Sequence, residues 1–162
     1  MSKKVRGANA QHSKHTVCEN VSTDGERIVF DFGNVDRDGR FCFDPHRPDF
    51  NAEVVLAELI GVSGQTWSQL KQATHNNGKS KHHFLSEDSL STEAKSRINA
   101  LGLRESTDSI FSLRLNGKIR VLGLRERGKF IVKWYDPPNT SFLNPTAEAH
   151  ARRFSCAMKE DI

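Results

Sequence analysis

The stretch IFSLRLNGKIRVLGLRERGKFIVKWYD, residues 110–136, decides the fold of this chain. Apolar side chains alternate with polar ones along most of it, and the pairs Asn116-Gly117 and Arg127-Gly128 interrupt the alternation. A period of two, broken by glycine-containing turns, predicts antiparallel strands joined by short hairpins. We therefore expect a three-stranded meander with strands at about 109–115, 118–125 and 129–135.

The first turn of the meander sets which side chains share a face. A two-residue turn at Asn116-Gly117 would mix core and charged side chains on one face, because a shift of one residue turns every side chain over. A three-residue loop or a bulge pairs Leu115 with Ile119 instead and keeps the core free of charge. This register predicts that Arg114 lies beside Arg120.

The second hairpin suits a two-residue turn at Arg127-Gly128. That turn aligns Val121 with Trp134 and Arg120 with Tyr135. One face of the meander should then line the core through Phe111, Leu113, Leu115, Ile119, Val121, Gly123, Phe130, Val132 and Trp134. The side chains expected on the opposite face include Arg114, Arg120, Lys133 and Tyr135.

Basic residues are concentrated in this meander. Residues 109–135 carry seven lysines and arginines against the single acid Glu126, a net charge of +6. Like charges side by side cost roughly a few tenths of a kcal/mol per exposed pair, so the fold gains nothing from gathering them. Guanidinium groups for phosphates, next to an aromatic ring that can stack on an unpaired base, are what a single-stranded RNA site needs. The pattern therefore indicates an RNA-binding surface.

The segments before the meander predict a mixture of strands and helices. Two alternating runs, 27–32 and 40–44, predict a hairpin with a long loop. Asn51 can cap a helix that stops at Gly61, and Thr66 opens a short second helix with a capping box.

The remaining segments complete an α+β arrangement. Residues 82–86 predict a short strand, Ser91 caps a helix that ends at Gly102, and residues 146–158 can form a terminal helix. The expected fold class is α+β, an antiparallel sheet with a C-terminal three-stranded meander and with helices packed on one face.

Length and composition fit one domain. The chain has 162 residues, of which 36% are hydrophobic, enough for one compact core. No run approaches the roughly 18 consecutive apolar residues that a membrane span needs, and the N-terminus lacks the apolar centre of a secretory signal. Residues 1–20 are polar, with basic side chains and little apolar content, so they predict a disordered basic tail ahead of a single domain at 21–162. We expect a cytoplasmic protein.

The runs at 110–123 and 130–137 resemble the sheet of RelE/ParE-type toxins. The likeness is closer to prophage-associated relatives whose strands read FSxRLxGKxRVxGxR and FxVxWxDPxH. The resemblance implies a RelE-like α+β domain that belongs to a toxin-antitoxin or phage-related system. RelE-type toxins are mRNA endoribonucleases that act in the ribosomal A site and are held inactive by a cognate antitoxin. ParE-type toxins instead poison gyrase.

The resemblance also implies roles for individual residues. Arg120 matches the main phosphate-binding arginine, and Arg114 matches a basic position on the first central strand. Ser112 stands where RelE toxins often have a lysine proposed as the base, and Asn139 stands where close relatives have a histidine. Metal-free RNA cleavage needs a base for the ribose 2′-hydroxyl, an acid for the leaving oxygen and charge stabilisation at the phosphate. Arginines supply only the last of these.

Proton transfer must therefore come from other side chains. Lys133 and Tyr135, with ordinary pKa values of about 10, suit an acid better than a base. His82 or His83 could supply the base from the neighbouring strand. We expect the catalytic residues to be Arg114, Arg120, Lys133, Tyr135 and His83, and the RNA-binding residues to be Lys118, Arg125, Arg127 and Lys129. No cofactor or metal is expected.

Two other functions fit the same residues. A non-catalytic RNA-binding or ribosome-binding module would use the basic face without any proton transfer. A ParE-like inhibitor would use its surface to bind a protein target.

Overall fold

The computed structural model describes residues 22–74, 78–138 and 140–144. The predicted basic tail at 1–20, the terminal helix at 146–158 and Asn139 lie outside the described residues, as do residues 75–77 of the polar loop that follows Thr74.

A five-stranded mixed sheet forms the centre of the described chain. Its strands follow the order β1-β5-β4-β3-β2, in which β1 is parallel to β5 and the other neighbours are antiparallel. The α+β class and the C-terminal meander β3-β4-β5 are therefore confirmed. The strands are β1 (Val29–Asp31), β2 (His83–Phe84), β3 (Ile110–Arg114), β4 (Arg120–Glu126) and β5 (Lys129–Asp136).

The predicted hairpin of 27–32 with 40–44 is wrong. β1 joins the edge of the large sheet beside the first residues of β5, and the segment that follows it continues along the same edge. There the backbone N–H of Asp36 donates to the Lys133 carbonyl at 2.9 Å, and the Tyr135 N–H donates to the Phe41 carbonyl at 2.9 Å. A two-stranded ribbon is marginally stable by itself, so pairing both segments with β5 is the better solution.

Three helices pack against this sheet, α1 (Ala52–Ser63), α2 (Trp67–Gln72) and α3 (Thr92–Ala100). Asn51, Thr66 and Ser91 cap them as predicted, and Thr66 forms a full capping box with Gln69. α1 continues two residues beyond the predicted stop at Gly61, and this extension brings Val62 into the core. No helix in the described ranges is long and apolar enough to cross a membrane.

The register of the first hairpin is as predicted. The Leu115 N–H donates to the Ile119 carbonyl at 2.9 Å, and Arg114 lies directly opposite Arg120. The loop between them turns at Gly117, which has a φ of 64°. A left-handed residue of this kind is what a three-residue hairpin loop requires.

The second hairpin departs from the prediction after its turn. Glu126 pairs with Lys129, so the two-residue turn is confirmed, but the register shifts by one between Leu122 and Gly123. Lys133 is the extra residue of this bulge. Arg120 therefore pairs with Asp136 instead of Tyr135, and Val121 pairs with Tyr135 instead of Trp134.

Both faces of the sheet are covered, so the prediction of one covered face is wrong. The first face packs under α1 and α2, and the second face packs under α3 and the segment around Phe142. Because of the bulge, the ring of Tyr135 lies in the first core and the indole of Trp134 lies in the second. The exposed basic face expected from sequence is thereby reduced to the ends of the strands.

Candidate nucleic-acid interface

The candidate site lies at the end of the second face, where β3 turns into β4. Arg114 and Arg120 occupy opposite positions on the two strands, and both side chains are partly exposed. The Arg114 Nε donates to the Gly117 carbonyl at 2.9 Å, which holds the side chain over the turn. Its backbone N–H donates to Nδ1 of the buried His82 at 3.2 Å, which ties the strand to the segment before β2.

His83 extends this site across the neighbouring strand. It pairs with Ser112, which in turn pairs with Leu122 of the second core, so the three residues share a face. The pKa of His83 lies below its ordinary value, because its ring is partly withdrawn from water and because the charges of Arg120 and Arg114 oppose protonation. A neutral imidazole at neutral pH can accept a proton, which is the property of a general base.

Asp136 balances part of the positive charge. Its carboxylate lies 3.9 Å from Nη1 of Arg120 and is 1% exposed. It also accepts a hydrogen bond from the Thr140 hydroxyl at 2.7 Å and one from the Phe142 N–H at 3.2 Å. Arg114 and Arg120 place two guanidinium groups beside this carboxylate, and guanidinium groups are the donors that a phosphate binds. We call His83, Ser112, Arg114, Arg120 and Asp136 the β3–β4 cluster.

Ser112 is a buried member of this cluster. The residue is 1% exposed, and its hydroxyl has no hydrogen-bond partner in the described part of the chain. The resemblance to RelE toxins places a lysine at this position, but a lysine here would bring its ammonium group into the second core. Such burial strongly disfavours the charged form of a lysine. The serine is therefore consistent with a sheet that is covered on this face.

Tyr135 lies far from its predicted place. Its ring is fully buried in the first core, and its hydroxyl accepts a hydrogen bond from the Asn51 N–H and donates to the Asp49 carbonyl, at 3.2 and 3.1 Å. Burial raises the pKa of this phenol, and the nearby Asp49 raises it further. In this position the Tyr135 hydroxyl is bonded to the residue that caps α1, and the ring lies in the first core, on the face of the sheet opposite to the cluster.

Lys133 is also absent from the cluster. As the extra residue of the bulge it turns toward the sheet edge, where its Nζ donates to the Asn34 carbonyl at 2.9 Å. The structure thus brings together Arg114, Arg120 and His83 of the predicted catalytic set, and it separates Lys133 and Tyr135 from them.

The predicted RNA-binding residues fall at two ends of the sheet. Lys118 is exposed on the β3–β4 turn, beside the cluster. The Arg125, Arg127 and Lys129 positions lie at the other end of β4, about six residues or roughly 20 Å away along an extended strand. The basic residues that the sequence places on one surface are therefore divided between the two ends of the sheet.

Arg125 serves the core at that second end. Its guanidinium lies 4.5 Å from the ring centre of Trp67 and donates to Asp24 at 2.6 Å and to Thr23 at 3.1 Å. Arg127 and Lys129 are exposed around the β4–β5 turn. A stacked, ion-paired arginine of this kind anchors the segment that contains Thr23 and Asp24 to the sheet.

The sequence reasoning missed Asp136 and the buried state of Ser112. Asp136 stands one residue after the basic stretch that was counted, and only the bulge at Lys133 brings it opposite Arg120. A glycine inside a strand, here Gly123, is the signal that could have indicated the bulge. A side chain at Gly123 would collide with the Ile131 carbonyl.

No family model, no curated protein and no solved structure matches this chain. The resemblance to RelE/ParE-type toxins therefore stays a prediction. Within the described ranges, no three His, Cys, Asp or Glu side chains are grouped so as to hold a metal ion. The described residues define an α+β protein with a small cationic site at one end of a covered sheet.

Proposed function

We propose that this chain is a RelE-like toxin, a ribosome-associated mRNA endoribonuclease that works without a metal and uses the β3–β4 cluster. The observation that carries the proposal is the direct opposition of Arg114 and Arg120, with the imidazole of His83 on the same face. Two guanidinium groups can hold one phosphodiester from two sides, because each offers several N–H donors in a fixed plane.

The electrostatics of the arginine pair supports a bound phosphate. Arg114 and Arg120 lie opposite each other, and an anion bound between two guanidinium groups lowers the repulsion between them. A phosphodiester that enters between the guanidinium groups would accept hydrogen bonds from both of them. Lys118 on the adjacent turn adds a further contact for the nucleic-acid backbone.

The proposed reaction is an internal transesterification. His83 takes the proton of a ribose 2′-hydroxyl, and the 2′-oxygen attacks the neighbouring phosphorus. The bond from phosphorus to the 5′-oxygen breaks, and the arginines stabilise the extra negative charge on the phosphoryl oxygens. The leaving 5′-oxygen takes a proton from water, and the hydroxide so formed recovers the proton from His83. The products are a 2′,3′-cyclic phosphate and a 5′-hydroxyl.

A non-catalytic RNA-binding or ribosome-binding module is the second candidate. It is favoured by the positions of Lys133 and Tyr135, which leave the cluster without the two side chains expected to act as acids. A cognate antitoxin, and a protein target in the manner of ParE, are supported by the resemblance alone.

The deciding experiment is cleavage of a reporter message on programmed ribosomes. Wild-type protein should produce discrete fragments that end in a 2′,3′-cyclic phosphate, and His83→Ala should not. Binding of the message or the ribosome without cleavage at any pH contradicts the enzyme and supports the binding module. Inhibition of purified gyrase, with neither cleavage nor RNA binding, contradicts both.

A further inference from the structure

A cavity of about 410 Å³ opens at the β1 edge of the sheet, away from the β3–β4 cluster. Its walls come from the end of β1, from the loop after it and from the segment before α1. The volume falls within the roughly 300–1,000 Å³ of small-ligand pockets. The lining residues are Phe32, Val35, Arg37, Phe43, Asp44, Pro45 and His46.

The cavity has an aromatic wall that the core holds in place. Phe32 is 44% exposed, and its ring centre lies 5.8 Å from that of Phe43. Phe43 packs edge-on against Phe50 at 5.3 Å, and Phe50 contacts the buried Tyr135 ring at 4.5 Å. This series of rings fixes an exposed aromatic surface, and a rigid platform loses little entropy when a flat ligand stacks on it.

A cation stands beside this wall. Arg37 is exposed and forms neither an ion pair nor a hydrogen bond within the described part of the chain. Its neighbour Asp36 is held firmly, since it accepts hydrogen bonds from Arg97 at 2.6 and 2.8 Å and from the Trp134 indole at 2.9 Å. The position of Arg37 is thereby fixed through the backbone while its guanidinium stays available.

An acceptor completes the lining. One oxygen of Asp44 accepts from the backbone N–H of His46 at 2.9 Å and lies 3.1 Å from the His46 ring. Those hydrogen bonds lower the pKa of Asp44, so the carboxylate is ionised at neutral pH. The second oxygen can accept a hydrogen bond from the amino group of a ligand.

We propose that this cavity binds an unstacked nucleobase that carries an exocyclic amino group. The base stacks on Phe32, its amino group donates to Asp44, and Arg37 meets the adjoining phosphate. An aromatic face, a guanidinium and an edge acceptor are the elements by which proteins hold splayed-out bases of single strands. The assignment of the ligand to RNA rests on the proposed function. It also moves the stacking platform from Tyr135, which is buried, to Phe32.

The test compares an adenine oligoribonucleotide with an abasic oligomer of the same length. A stacked base contributes about 5- to 150-fold in affinity, so wild-type protein should prefer the adenine oligomer by a factor in that range. Phe32→Ser should reduce this preference, and Arg37→Ala should weaken the binding of both oligomers, because both carry the phosphate. Leu56→Ser, which removes an exposed apolar side chain on α1, should keep the preference. A preference that survives Phe32→Ser in folded protein overturns the proposal.

Adenosine monophosphate separates this proposal from the proposed function. If neither oligomer binds, the RNA function fails, and the cavity is tested with the mononucleotide alone. Saturable binding to wild type that is lost in Phe32→Ser supports the nucleobase site. Absence of binding, or equal binding to Phe32→Ser, overturns it.

Discussion

The two ends of β4 carry similar charges and have different surroundings. At the β3–β4 end, Arg120 lies opposite a second arginine and near the imidazole of His83, and the Asp136 carboxylate is 3.9 Å away. At the β4–β5 end, Arg125 meets Asp24 at 2.6 Å and lies over an indole ring. Arg125 is held by a close ion pair and an aromatic ring, whereas Arg120 lies directly opposite a second positive charge.

This difference shows that a cluster of basic residues indicates a binding site only when the groups that contact each basic side chain are known. Both side chains are about 15% exposed, so burial alone does not separate them. The charge of the neighbouring groups does distinguish the two arginines. An arginine that faces an acid and an aromatic ring stabilises the fold, and two arginines that lie opposite each other offer hydrogen-bond donors to an anion from two sides.

The largest expected effect is on catalysis at the β3–β4 end. Loss of a general base typically slows a reaction about 100- to 10,000-fold, so His83→Ala should slow cleavage of RNA by that factor. In the wild type the rate should rise with pH as His83 loses its proton, with a midpoint below the ordinary value of 6.5, because partial withdrawal from water and the two arginines disfavour the protonated form. The measurement is a pH–rate profile of both proteins. A midpoint above 6.5 contradicts the role of His83. The role is also contradicted if the rate of His83→Ala rises with pH in the same way as that of the wild type.

A smaller effect is expected on stability at the β4–β5 end. Arg125→Ala should lower the free energy of unfolding by about 2 kcal/mol, because the ion pair with Asp24 and the contact with Trp67 are both lost. The affinity for RNA should stay the same. Denaturant unfolding and RNA titration of the same variant test this, with exposed Arg127→Ala as the matched control. An Arg125→Ala protein with unchanged stability and weakened RNA binding would mean that Arg125 binds RNA and does not stabilise the fold.

The smallest effect is expected at Ser112. Ser112→Ala removes a buried hydroxyl that has no partner within the described residues, so the free energy of unfolding should change by less than about 1 kcal/mol. A loss of several kcal/mol on denaturant unfolding would mean that the hydroxyl is paired in solution. Ser112→Lys should instead destabilise the sheet strongly, because the site lies inside the second core.

Local signals in the sequence were sufficient for the starts of the three described helices and for the two hairpin turns. The caps at Asn51, Thr66 and Ser91 and the two hairpin turns all depend on residues within a few positions of one another. The Arg114 and Arg120 pair followed from the first turn, because the requirement for a dry core excluded the other register.

Features that depend on distant segments were not predictable in the same way. The parallel pairing of β1 with β5 joins residues about a hundred positions apart. The bulge at Lys133 moved Tyr135 and Trp134 to opposite faces, and α3 covered a face that the alternation alone left open. Alternation gives the two faces of a strand but does not say whether one or both are buried.

The most direct test of the account is the affinity for single-stranded RNA, measured across a series of salt concentrations for wild type, Arg114→Gln and Arg127→Gln. If the β3–β4 cluster binds phosphate, Arg114→Gln weakens binding by about 1–3 kcal/mol and lowers the salt dependence by roughly 0.7 in logarithmic slope. Arg127→Gln, which removes an exposed arginine at the other end, should change both much less. Equal losses in the two variants, or a larger loss in Arg127→Gln, would contradict a phosphate site at Arg114 and Arg120.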